Sequence, residues 1–182
     1  GYSLINLMIG AEGTLGVITE LTLKIIPAPK AVVSLIIPFE DLETAISTVP
    51  KIKMAQLDPQ ALEFMEREIV LSSERFIGRE TFPKQIGGVE VGAYLLVTFD
   101  GDDFDQLNDL VEKAAEVVLE EGAIDVLVAD SPAKKRDAWA ARSSFLEAIE
   151  AETTWLDECD VVVPVTKIAE YLKYVKSTED RY

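Results

Sequence analysis

Two groups of residues in this 182-residue sequence could do chemistry. The first is Arg142, which falls at helical spacing from Ala138, Trp139, Leu146 and Ile149 and so sits inside an otherwise apolar stripe. A guanidinium drawn toward such a surface must be paired, because an isolated charge out of water is heavily penalised. Its partner is either an internal carboxylate, such as Asp160 or Glu147, or the carboxylate of a bound small molecule, which arginine's planar fork holds through two bonds. By residue type alone the internal pair is the simpler reading. The second group is Gly10-Ala11-Glu12-Gly13-Thr14-Leu15-Gly16, three glycines within seven residues. Glycine at this density lets the main chain turn through positive φ and approach a ligand with no Cβ in the way. A tight turn between strands would use the same residues. No G-x-G-x-x-G pattern is present, so this is not a nicotinamide-binding fingerprint.

Composition narrows the remaining chemistry. The sequence contains no histidine, which removes Ser-His-Asp and Cys-His catalysis and leaves a zinc centre without its usual ligands. Thirty-three acidic against seventeen basic residues give a formal charge of −16, a field that repels nucleic-acid backbones. An anionic substrate would therefore need a local cationic exception. Lys134-Lys135-Arg136 forms such a cluster, although a solvated helix face is the simpler reading of it. The single cysteine, Cys159, leaves no internal disulfide and fits a reducing, cytoplasmic compartment. No apolar run reaches the roughly 20 residues that span a bilayer. The chain starts at Gly1 rather than Met, which predicts a piece of a longer polypeptide.

The elements that must carry these residues follow from apolar periodicity. Residues 4–9 suit a buried strand or a short buried helix, and Leu21, Leu23 and Ile25 alternate as in a half-buried strand. Pro27-Ala28-Pro29 is stiff and marks a domain boundary. Beyond it the sequence predicts a strand over 32–37 ended by Pro38, a helix from 41 stopped by Pro50, and a strand over 62–65. Residues 66–90 show no clear period. A strand over 92–99, a helix over 104–121 and a strand over 124–129 follow. Ser131 and Pro132 then open a helix running to 151. A strand over 160–163 and a helix from 168 complete the pattern. Its order gives an α+β fold, a ferredoxin-like antiparallel sheet with helices on one face. A doubly wound parallel sheet is the rival, and the lack of a phosphate loop after any strand counts against it.

Residues 1–29 closely resemble the end of the flavin-binding domain in FAD-linked oxidases of the vanillyl-alcohol-oxidase type. The similarity is strongest to the branch holding D-lactate dehydrogenases, D-2-hydroxyglutarate dehydrogenases and the glycolate oxidase D-subunit. That family's pattern G-S-E-G-T-L-G-I-[IV]-T is matched except for Ala11 in place of serine and Val17 in place of isoleucine. Trp139-Ala140-Ala141-Arg142 resembles its W-x-x-R, and Asp160-Val161-Val162-Val163-Pro164 its D-[VIL]-x-[VL]-P strand. Some relatives carry a basic residue where Glu158 stands, so the resemblance argues against a dicarboxylate substrate.

The resemblance implies two regions: residues 1–29 as the end of an FAD-binding domain, and 30–182 as a substrate domain truncated before a histidine motif. Glu12, Gly13, Thr14, Gly16, Val17 and Ile18 would lie along the FAD, mainly through backbone groups, and Arg142 would bind the substrate carboxylate. No catalytic group is expected within the fragment, which alone would be inactive. The full-length enzyme would oxidise a small 2-hydroxy acid, D-lactate or a glycolate-like acid, by hydride transfer to flavin N5 and pass electrons to an acceptor. The family also allows a divalent metal held by residues outside this sequence, a homodimer or partner subunit, and peripheral attachment to the inner face of the membrane. The competing expectation is a ferredoxin-like binding or regulatory module without catalysis.

Overall fold

The computed structural model describes residues 1–179. A short helix, α1 (Leu4–Met8), is capped by the Ser3 hydroxyl, and the chain then runs outside helix and strand to Lys30. Strand β1 (Ala31–Phe39) passes through Asp41, whose carboxylate accepts from Thr44 N at 2.8 Å, into α2 (Leu42–Met54). Strand β2 (Ala61–Glu66) runs directly into α3 (Arg67–Ile77), which stops at the left-handed Gly78. A small hairpin, β3 (Gln85–Ile86) and β4 (Val89–Glu90), precedes β5 (Ala93–Gly101). Asp103 caps α4 (Phe104–Glu120), and β6 (Leu127–Ala129) leads to α5 (Pro132–Ser143), opened by Ser131 and Pro132 as expected. Helices α6 (Phe145–Glu152) and α7 (Ile168–Glu179) follow.

The main sheet has the order β2-β5-β1-β6 with every pair antiparallel, which is the ferredoxin-like arrangement and excludes the doubly wound alternative. Strands β1 and β5 form the centre, in register from Ala31 opposite Gly101 to Phe39 opposite Ala93. Leu35, Ile37, Leu95, Val97 and Phe99 are buried in one cluster with Val49 and Ile52 of α2 and Leu107 and Val118 of α4. On the opposite face Ile36, Tyr94, Leu96 and Met65 bury with Val70 of α3 and Ala138 and Ala141 of α5. Helices therefore cover both faces, not the single face expected. The signal lay in the strands themselves: residues 35–37 and 93–97 are continuously apolar rather than alternating, as strands buried on both sides must be.

Other departures have local causes. Pro38 does not end β1, because β6 pairs only with Ser34–Ile36, so the missing N–H at position 38 removes no ladder bond there, while its carbonyl still accepts from Ile124 N at 2.8 Å. Pro50 lies within α2 rather than stopping it, since Val49 and Ile52 on either side are held in the core. The helix expected to reach 151 breaks at Ser144. Residues 160–163 form no strand; Val162 is 97% exposed, and β propensity without a neighbouring edge makes no ladder. The alternating residues 21–25 likewise lie exposed outside any strand, and Leu4, Ile5 and Leu7 of α1 are exposed rather than buried.

The unreadable stretch 66–90 is ordered by a polar network under the second face. Buried Glu74 accepts from Thr81 N at 2.6 Å and Phe82 N at 2.8 Å and pairs with Lys84. Arg67 donates to the carbonyls of Lys84 (3.2 Å) and Val91 (2.9 Å). Gly92 passes so close to β1's end that an added Cβ would stand 2.1 Å from the Glu40 carbonyl oxygen. Tyr94 donates its hydroxyl to the Pro83 carbonyl at 2.7 Å. Burial, reinforced by Glu74 and Glu68 and opposed by Arg67, pushes this phenol from 10.0 up to about 12. Tyr94→Phe leaves that carbonyl without its donor and should cost about 1–2 kcal/mol at pH 8. The native protein alone should then lose part of its stability between pH 10 and about 12, where the unfolded phenol ionises first. Urea unfolding at pH 8 and pH 11 measures both effects.

Candidate functional site

Helix α5 crosses the second face of the sheet and brings Trp139 and Arg142 over it. The seat begins with two hydroxyls. Ser34 and Thr98 stand opposite each other in the β1–β5 register, both buried, with their oxygens 2.9 Å apart. Neither could be left alone in this apolar face, and each satisfies the other. Trp139 Nε1 donates to Ser34 Oγ at 3.4 Å, which places the indole and with it the α5 turn.

One turn on, Arg142 reaches the β2 edge of the same face. Its Nε donates to Glu63 Oε2 at 2.9 Å, and its Cζ lies 5.5 Å from the centre of the Phe145 ring. Side-chain exposures of 38% for Arg142 and 33% for Glu63 place the pair at the rim, not in the core. An ion pair in that setting contributes about 1 kcal/mol or less, so it can be shared with an incoming carboxylate at little cost. The partner is neither Asp160 nor Glu147, the carboxylates suggested by sequence. Asp160 lies in the exposed segment that forms no strand. Glu147 is carried on α6, past the break that changes the course of the helix. A groove of about 360 Å³ lies over Ser34, Ala61, Thr98, Lys135, Arg136 and Trp139; Arg142 and Glu63 are not among its lining residues. Of the basic cluster, Lys134 pairs with Asp130 at 3.0 Å and Lys135 donates to the Val32 carbonyl.

The glycine-dense segment is a pair of consecutive turns. Ala11 N donates to Met8 O at 3.2 Å, and Thr14 N and Oγ1 both donate to Ala11 O, at 2.8 and 2.6 Å. The turns require positive φ at Gly10 (76°), Glu12 (48°) and Gly13 (77°). A Cβ at Gly10 or Gly13 would meet nothing within 4 Å, so the main chain there is bare. Leu15, Val17 and Ile18 follow as exposed apolar side chains.

The structure does not bring these two groups together. Among the described residues, the hydrogen bonds of residues 1–18 stay within that segment, and the first hydrogen bond to the sheet domain is Lys30 N donating to Asp102 Oδ1 at 3.3 Å. Glu12, Gly13, Thr14, Gly16, Val17 and Ile18 thus form one exposed strip, and Arg142 another site. Sequence reasoning missed Glu63 and Phe145. Glu63 was detectable, because it shares its face of β2 with Ala61 and with buried Met65, where alternation calls for an apolar residue. Among the described residues no group of three or more His, Cys, Asp or Glu could hold a metal ion, and no helix is long and apolar enough to cross a membrane.

Residues 28–182 match the family described as FAD linked oxidases, C-terminal domain. A D-lactate dehydrogenase of Anaerostipes hadrus is 66% identical over 179 residues, covering 98% of this chain and 38% of that protein. The glycolate oxidase subunit GlcD of Bacillus subtilis is 31% identical over 186 residues, covering 100% of this chain and 37% of its own length. The chain therefore spans well under half the length of these relatives. Among solved structures, an alkyldihydroxyacetonephosphate synthase superposes with a TM-score of 0.68 at 18% identity, covering 100% of this chain and 37% of the other, a likeness of fold.

The seat of Arg142 is fixed from below by Ser73 of α3, which is fully buried. Its hydroxyl donates to the Ala141 carbonyl at 2.5 Å and lies 2.9 Å from Ser144 Oγ, at the break between α5 and α6. Ser73→Ala should cost about 1–2 kcal/mol, a fall of roughly 2–8 °C in melting temperature for a chain of this size. Calorimetry decides the matter; an unchanged melting temperature would mean that the junction is held without this hydroxyl.

Proposed function

The chain belongs to the FAD linked oxidase C-terminal domain family, and from that premise we propose that it is the substrate-side part of a flavoenzyme oxidising a small 2-hydroxy acid. The observation that carries the proposal is Arg142: a partly exposed guanidinium, braced on one side by Glu63, one helical turn from Trp139, which lines a groove, in a strongly acidic chain. Similarity to a D-lactate dehydrogenase and to glycolate oxidase subunits supports D-lactate or a glycolate-like acid as the substrate. Residues 30–182 are assigned to the substrate domain and 1–29 to the end of the FAD-binding domain.

The residues of the amino-terminal strip fit a flavin. Bare main chain at Gly10 and Gly13 beside exposed Leu15, Val17 and Ile18 is the surface against which a flat aromatic ring system can lie. Glu12, Gly13, Thr14, Gly16, Val17 and Ile18 would hold it, chiefly through backbone groups. FAD, when bound, supplies the two-electron acceptor chemistry. Arg142 would fork the substrate carboxylate, fix the acid's orientation and neutralise its charge. We assign no proton acceptor within this chain; any divalent metal would rest on residues outside it. Electrons would leave to an acceptor, and a homodimer or partner subunit is compatible with the family. Free Cys159 fits a cytoplasmic setting.

In the full-length enzyme, Arg142→Ala should raise KM for the hydroxy acid by tenfold or more, about 1.4 kcal/mol of lost binding, without loss of flavin. Steady-state kinetics with flavin absorbance tests this, and an unaltered KM would remove Arg142 from the site. Gly13→Val forces a branched side chain to φ 77° and should lower the flavin-to-protein absorbance ratio of the purified enzyme. Full flavin occupancy in that variant would rule out a backbone contact there.

A further inference from the structure

We propose that Glu63 is the positioning residue for Arg142, holding the guanidinium by its Nε edge so that both Nη groups face the substrate carboxylate together. The inference deepens the reading of Arg142 given above and depends on it. An arginine can fork a carboxylate through its two Nη atoms or through Nε and one Nη. Glu63 Oε2, 2.9 Å from Nε, occupies the second of these edges. Among the described residues Nη1 and Nη2 take part in no hydrogen bond. Only the Nη1–Nη2 edge is then available, and the direction of the incoming carboxylate is fixed. The Phe145 ring, 5.5 Å from Cζ, restrains the guanidinium from a second side.

The placement of Glu63 argues that this role is specific. It is carried on β2, opposite Leu96 of the central strand β5, so its backbone is as rigid as the sheet. Its side chain stands on the face shared with Ala61 and Met65 and draws a negative charge toward a site meant for an anion. That charge opposes substrate binding. A carboxylate is useful there only if the orientation it imposes outweighs the repulsion it adds.

Geometry and charge can be separated in the full-length flavoenzyme. Glu63→Asp keeps the charge but withdraws the acceptor by one methylene. Glu63→Gln keeps an acceptor at the same reach and removes the charge. The proposal expects KM for the hydroxy acid to rise about tenfold in Glu63→Asp, with kcat within about twofold. KM in Glu63→Gln should equal or fall below the native value. Glu63→Ala should behave as Glu63→Asp. Native KM in both Glu63→Asp and Glu63→Ala, alongside a raised KM in Arg142→Ala, would overturn positioning by Glu63 while keeping Arg142 as the substrate anchor. A raised KM in Glu63→Gln equal to that in Glu63→Asp would also overturn it, because an acceptor at the native reach would then not suffice to position the guanidinium. Native KM in Arg142→Ala removes the anchor itself, and the proposal with it. Melting temperature and flavin absorbance, unchanged across the Glu63 variants, exclude a general loss of fold as the source of the KM change.

Discussion

The β1–β5 ladder is the constraint on which the rest of the molecule depends. It runs nine residues without a bulge and lies at the centre of the sheet with both faces buried. Because side chains alternate, a slip of one residue would exchange the two faces and set every core residue against the wrong helices. The Ser34–Thr98 pair makes such a slip costly. In register the two hydroxyls satisfy each other; out of register each would be buried against aliphatic carbon, at about 1–3 kcal/mol apiece. That pair also seats Trp139, Trp139 seats the α5 turn, and that turn sets where Arg142 emerges. The position of the candidate anchor is thus fixed by the pairing of residues 34 and 98, both far from it in sequence.

A sheet buried on both faces needs more polar bracing than one with a wet side, and the second face supplies it. Glu74, Arg67 and Lys84 do not pair merely with each other: they take up main-chain N–H and carbonyl groups of residues 81–91, a loop that would otherwise carry unpaired backbone into the core. Ser73 does the same for the α5–α6 break. These groups hold α3, α5 and the hairpin as one layer. The neighbouring face, covered by α2 and α4, is closed almost entirely by apolar packing. The division is functional in form: the layer with polar bracing is the one that carries the groove and the arginine.

How much of this could be read from sequence follows from how local each signal is. The starts of α2, α4 and α5, the last with its cap at Ser131, and the strands around 32–37 and 92–99 are written within a few residues, and they appear where the pattern put them. Arg142 was legible as a cation in an apolar stripe. Its partner was not, because Glu63 is 79 positions earlier and meets it only through the β2–β5 pairing. The break at Ser144 escaped notice since no proline or glycine marks it; the buried bond from Ser73 is what terminates α5 there. Residues 160–163 illustrate the opposite failure. Three successive valines announce a strand, yet a strand is a property of two chains of hydrogen bonds, and here no edge receives them.

The weakness of the Arg142–Glu63 pair would suit it to the substrate site proposed for it. Had Glu63 been drawn fully into the core, its bond with the arginine would have become too costly to share, since breaking a buried pair strands a charge at several kcal/mol. Had Arg142 no partner, its long side chain would sample many rotamers, and ordering it on binding would cost affinity. At one-third exposure the guanidinium is oriented without being neutralised beyond reach, and solvent still screens the repulsion between Glu63 and an arriving anion. A chain with a formal charge of −16 gives small anions no general attraction. On the proposed reading, capture of a hydroxy acid would fall to this short stretch of α5, which carries Lys135, Arg136 and Arg142, and selectivity to the geometry that Glu63 imposes on Arg142.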